Sequence, residues 1–143
     1  MTDVLIYQTV DNGDIIVNNG LIETNGGLQS AVYLSLFGGN ENDNGLVESL
    51  QYWGNVLETE KARKYSNETQ YLLRSIPSIP VNLRRLEEAI SRDLQWILDV
   101  NAASEITVNA SIPDVNKVKI IINIQMVGEE SEFEFVENWK VDL

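Results

Sequence analysis

Val81-Asn82-Leu83-Arg84-Arg85-Leu86-Glu87-Glu88-Ala89-Ile90-Ser91-Arg92-Asp93-Leu94-Gln95-Trp96-Ile97-Leu98-Asp99-Val100 carries the clearest helical pattern in the chain, and the rest of the fold is expected to pack around it. Leu83, Leu86, Ile90, Leu94, Ile97 and Leu98 recur at helical spacing, with Arg84, Arg85, Glu87, Glu88, Arg92 and Asp93 on the opposite arc. The spacing predicts an amphipathic helix over 83–100. Asn82 suits its N-cap, because a short side-chain oxygen can accept a bond from a free first-turn amide. Pro80 marks the same boundary. An apolar stripe of this kind is unstable alone in water and requires a sheet or a second helix to cover it.

The covering surface is expected after the helix. Ile106, Val108 and Ala110 alternate with polar residues. Val118, Ile120, Ile122, Ile124 and Met126 alternate with Lys119, Ile121, Asn123 and Gln125. Phe133 and Phe135 alternate with Glu132 and Glu134 in a third strand. Pro113-Asp114 and Gly128-Glu129-Glu130 separate the three, so the pattern predicts an antiparallel meander with one apolar face, packed on the helix.

Ahead of the helix the order is strands, then helix, then connector. Val4-Leu5-Ile6-Tyr7 and Ile15-Ile16-Val17 flank Asp11-Asn12-Gly13-Asp14, and Asn18-Asn19-Gly20 precedes Leu21-Ile22-Glu23, which reads as a small β-meander. Leu28 to Phe37 reads as a helix stopped by Gly38-Gly39, although Val32, Tyr33 and Phe37 also suit a strand. Ser75-Ile76-Pro77-Ser78-Ile79-Pro80 is a stiff extended connector. The fold class is α+β: an N-terminal meander, central helices and a C-terminal three-stranded antiparallel sheet, in a single domain over 1–143.

Composition narrows the chemistry. With no Cys there is no disulfide, no thiolate nucleophile and no Cys-based zinc site. With no His, the commonest general base and transition-metal ligand is missing. The formal charge of −12 opposes phosphate binding, so nucleic acid is not an expected partner. No uncharged apolar run is long enough to cross a bilayer, and the first residues show no secretory pattern. The charge is unevenly placed. Residues 1–60 hold nine acids and no Lys or Arg, residues 61–92 seven basic residues against three acids, and residues 93–143 three against ten. A basic middle between acidic ends fits either a neighbour's acidic face or an internal match.

Gly38 to Gly45 has a superficial calcium-loop look. Asn stands at its first position and Gln51 where a bidentate Glu is needed, so it reads as a solvated loop. Tyr52-Trp53-Gly54-Asn55 reads as rings packed close to backbone. Paired-carboxylate hydrolysis is the enzyme class left open, with Glu23, Glu41, Glu48 and Glu58 as acids that nothing in the pattern singles out. No cofactor is implied.

Gly27 to Phe37, Tyr52-Trp53-Gly54-Asn55, Tyr71-Leu72-Leu73-Arg74 and Ala89 to Asp99 with its Leu94-Gln95-Trp96 resemble, in order, four blocks of the Mu-like phage baseplate protein family, gene product forty-six. The chain departs from that family at Gly38-Gly39-Asn40-Glu41-Asn42, where an acidic-Arg run is absent, and at the Pro77/Pro80 connector. The family is related to the T-even wedge proteins once labelled acidic lysozymes and now understood as sheath initiators. The resemblance implies a non-catalytic virion component of a contractile-tail baseplate, made in the host cytoplasm and arranged as a multi-copy ring. Its partners would be other wedge proteins, the tail sheath protein and the tube or hub. Glu129 to Val136, with Glu132, Phe133, Glu134 and Phe135, would meet the first sheath ring by strand addition. Arg74, Arg84, Arg85 and Arg92 are candidates for polar contacts to wedge proteins. For each arginine the alternative is an internal pair or solvent, and for the two phenylalanines it is the core. The older label implies a muramidase-like hydrolase instead, and the acidity alone would also fit a nucleic-acid-mimicking adaptor.

Overall fold

The computed structural model describes residues 3–4, 6–8, 13–15, 17–22, 24–25, 27–38 and 67–141. The turn at Asp11-Asn12, the asparagine-rich loop after Gly38, the Tyr52 to Asn55 block, Lys61, Arg63, Lys64 and the acids Glu23, Glu41, Glu48 and Glu58 lie outside the described residues.

In chain order the elements are β1 (Asp3–Val4), β2 (Ile6–Gln8), β3 (Gly13–Ile15), β4 (Val17–Asn18), β5 (Leu21–Ile22), β6 (Thr24–Asn25), α1 (Leu28–Phe37) and α2 (Glu68–Ser75). A 3₁₀ turn at Pro80–Asn82 then leads into α3 (Leu83–Asp93), α4 (Gln95–Asp99), β7 (Glu105–Ser111), β8 (Lys117–Met126) and β9 (Glu129–Asn138). The fold is α+β, as the sequence predicts. The short N-terminal strands pair antiparallel as β1–β6, β2–β3 and β4–β5, and the C-terminal three form the meander β7-β8-β9.

Register fixes the faces of that meander. Ile120 stands between Ala110 and Phe135, Ile122 between Val108 and Phe133, and Ile124 between Ile106 and Ser131. Val118, Ile120, Ile122 and Ile124 are fully buried, and each such side chain stabilises the fold by roughly 1.5–3 kcal/mol. Against this face lie Leu86, Ala89 and Ile90 of α3, then Leu94 and Ile97, with α1 adding Val32 and Leu36. The aromatic contact of α1 with the sheet is a three-ring cluster. The Tyr33–Phe37 centroids are 5.3 Å apart, Tyr33–Phe135 6.1 Å and Phe37–Phe135 5.8 Å, the last edge-on.

The helix expected over 83–100 is two segments joined at Leu94, where the bond from Ile97 N to Leu94 O tightens the turn. It ends in a Schellman arrangement. Asn101 takes a left-handed φ of 59°, Ala102 N donates to Ile97 O and Asn101 N to Leu98 O. Asn82 has helical dihedrals and does not cap α3; its Nδ2 donates instead to Pro77 O at 2.9 Å, tying the connector down. Asp93 does not lie on the polar arc but is buried, at 3% exposure.

Asp93 is the N-terminal cap of α2, supplied from another helix. Oδ1 accepts from Glu68 N at 3.0 Å, and Oδ2 accepts from Thr69 N at 2.8 Å and from the Thr69 hydroxyl at 2.7 Å. A carboxylate at a helix N-terminus meets free amides and the positive end of the dipole together. Asn67 sits just ahead of these residues with a positive φ of 52°, and its Nδ2 donates to Leu34 O and Ser35 O in the last turn of α1. At the other end of α1 the Ser30 hydroxyl accepts from Ile6 N and donates to Val4 O, so the N-terminal ribbon is fastened to the helix. Trp96 Nε1 donates to Ser35 Oγ at 2.9 Å, joining α4 to α1.

Burial, with a smaller contribution from the charge of Glu137, pushes the Tyr33 hydroxyl up to about 12. Above the ordinary tyrosine value the unfolded chain releases this proton while the folded chain holds it. The contribution to stability is therefore complete below about pH 10 and is lost as pH rises from there towards 12. Ultraviolet titration of the five tyrosines should show one late component that disappears in Tyr33→Phe, together with part of the alkaline loss of stability.

Candidate interaction surface

The sheet order leaves β8 flanked on both sides, and β9 with one lateral border. Between Glu129 and Phe135 no described strand is bonded to that border. β9 pairs with β8 along its whole length, from Met126–Glu129 to Lys117–Asn138, so its register and backbone conformation are fixed from that side. An unpaired border of this kind is a row of backbone donors and acceptors that can pair with another extended chain.

Two different faces meet along it. Inward, Phe135 is buried at 3% exposure and Phe133 is half-buried against the core. Outward, Glu130, Glu132 and Glu134 are exposed and stand in register with Gln125, Asn123 and Ile121 of β8. Lys119 Nζ reaches Glu134 Oε1 at 3.4 Å from the diagonal position, and no described cation forms an ion pair with Glu130 or Glu132. Glu130 lies within the Glu129 to Val136 stretch expected at the contact and shares the exposed face of Glu132 and Glu134, although only Glu132, Phe133, Glu134 and Phe135 are singled out there by the sequence pattern. The hairpin tip beyond is Val127-Gly128, with Gly128 at φ 75°, so Glu129 and Glu130 belong to the strand and not to the turn.

The arginines divide by environment. Arg92 forks onto Glu68, with Nε–Oε2 2.9 Å and Nη2–Oε1 2.8 Å, and this hydrogen bonding raises its pKa further above the ordinary value. Together Arg92 and Asp93 hold the first two residues of α2, one side chain at the surface and the other inside. Arg84 lies along α3 with Nε 3.3 Å from Glu88 Oε1, four residues on, and its side chain is 89% exposed. Arg85 is exposed on the same helix and Arg74 half-buried at the end of α2. The structure therefore does not gather the four into one patch. Arg84 and Arg85 share the start of α3, while Arg92 faces α2.

A second exposed feature lies on the N-terminal ribbon. Val17 pairs with Ile22, and the two are 60% and 50% exposed; Leu21, beside the Asn19-Gly20 turn, is 74% exposed. Among the described residues no group of three acidic side chains is placed to hold a metal ion, and no helix is long and apolar enough to cross a membrane.

No family model, no curated protein and no solved structure matches this chain.

Proposed function

We propose that this chain is a structural component of a contractile phage tail baseplate, a wedge-core protein and sheath initiator that offers a sheet border to the first sheath ring. The observation that carries the reading is the edge of β9 from Glu129 to Phe135, to which no strand among the described residues is bonded, backed by a core that fixes its register. The resemblance of four ordered sequence blocks supports the choice of assembly.

Physically, an edge strand already ordered by β8 has lost its conformational entropy on folding, so an arriving arm meets a pre-organised template. Each new backbone bond contributes about 1 kcal/mol net. A strand of five or six residues binds weakly on its own, and repetition around a ring makes the sum tight. Arg84 and Arg85, projecting from α3, would meet carboxylates of neighbouring wedge proteins.

Deleting the encoding gene in a phage-producing strain tests this. The expected product is tail tubes on which no extended sheath assembles, with rescue by the gene in trans. Particles with normal sheaths would overturn the proposal, as would cell-wall lysis by the purified chain that a single Glu→Gln change abolishes.

A further inference from the structure

The side chains on the β9 border say what kind of strand it accepts. Glu130, Glu132 and Glu134 are spaced by about 6.8 Å, two strand residues apart. A strand added beside β9 would place its side chains about 4.5–5.5 Å from these three, closer than they are to one another. Each alternate position of the newcomer thus meets a carboxylate, of which Lys119 serves only that of Glu134. The positions between lie over Ser131 and half-buried Phe133, on the core side.

The same geometry disfavours a second copy. An antiparallel β9–β9 pair centred on Glu132 would set Glu132 against Glu132 and Glu130 against Glu134, and like charges directly opposite are destabilising. We infer that the β9 border is charge-selective: it takes an extended segment with Lys or Arg at every second position and apolar side chains between, and it rejects its own kind. This rests on the reading of β9 as a strand-accepting border, and it adds the chemistry of the partner.

The test uses the full chain, amide hydrogen exchange resolved by residue, and three synthetic peptides alternating valine with lysine, glutamate or serine. The lysine peptide should slow exchange at the β9 amides not bonded to β8 between Glu129 and Phe135, and more salt should weaken it. Against an E130K/E132K/E134K variant, whose changes are all at exposed positions, it should bind about tenfold or more weakly, with the glutamate peptide gaining instead. Equal protection by the serine and lysine peptides would overturn charge selection and leave strand addition standing. Protection by none of the three would overturn both. Protection of β9 that grows with chain concentration alone would overturn the rejection of a second copy.

Discussion

Trp139→Ala should lower the unfolding free energy by about 3–5 kcal/mol, a large part of the 5–15 kcal/mol that holds a domain of this size together. Trp139 follows the last strand and has no exposed surface. Its backbone N donates to Asn116 O in the β7–β8 turn at 2.8 Å, and its indole Nε1 to Ile76 O at 2.8 Å, where α2 gives way to the proline connector. One side chain thus closes the sheet, the turn and the helical layer on each other. Removing it leaves a cavity bordered by well-packed side chains and a buried carbonyl without its donor. Trp139→Phe keeps most of the volume and loses the hydrogen bond, so its cost should be nearer 1–2 kcal/mol. Urea unfolding followed by circular dichroism measures both. A loss below about 1 kcal/mol for the alanine variant would mean that the C-terminal segment does not close the core as described.

The second large effect is expected at Asp93. Asp93→Ala should cost about 3 kcal/mol, because the Thr69 amide and hydroxyl would be left inside the protein without an acceptor. Arg92→Ala, at the adjacent residue, should cost less than about 1 kcal/mol. The Arg92–Glu68 fork has better geometry than most surface pairs, yet the Arg92 side chain is 55% exposed and its attraction is screened by water and salt. Burial should therefore decide between two neighbouring charged residues that both hold the start of α2. Asp93→Asn keeps one acceptor and turns an amide towards a backbone N–H, so it should fall between them. Equal losses for Arg92→Ala and Asp93→Ala would contradict this ordering.

The elements that sequence reveals best here are those with long, uniform patterns. Val118 to Met126 shows alternation over a full strand, and Leu86, Ile90, Leu94 and Ile97 mark the buried stripe of α3 and α4, because burial is set by the same periodicity that is read. Asp93 suits the polar arc by its chemistry, but three residues beyond Ile90 and four before Ile97 is the buried stripe itself. A charge at that phase signals a partner inside. The partner, Glu68-Thr69, is 24 to 25 residues away and joined through tertiary structure, which no local cap rule detects. Asn82 failed as a cap for the converse reason, since the Pro80 turn gave it helical dihedrals and a nearer acceptor in Pro77. Trp139 gave little warning because a single aromatic has no period. At the border, the Glu-Phe alternation told which side of β9 faces the core. That β9 is an edge among the described strands depends on strand order, which a linear pattern does not carry.

Strand addition to β9 by another chain can be seen by electron cryo-microscopy of the assembled tail particle. Extended backbone from a neighbouring subunit is expected beside Glu129 to Phe135, at the roughly 4.7–4.9 Å spacing of paired strands, with basic side chains opposite Glu130 and Glu132. A β9 border left facing solvent, or covered by a helix or loop that makes no backbone bonds to it, would contradict the claim.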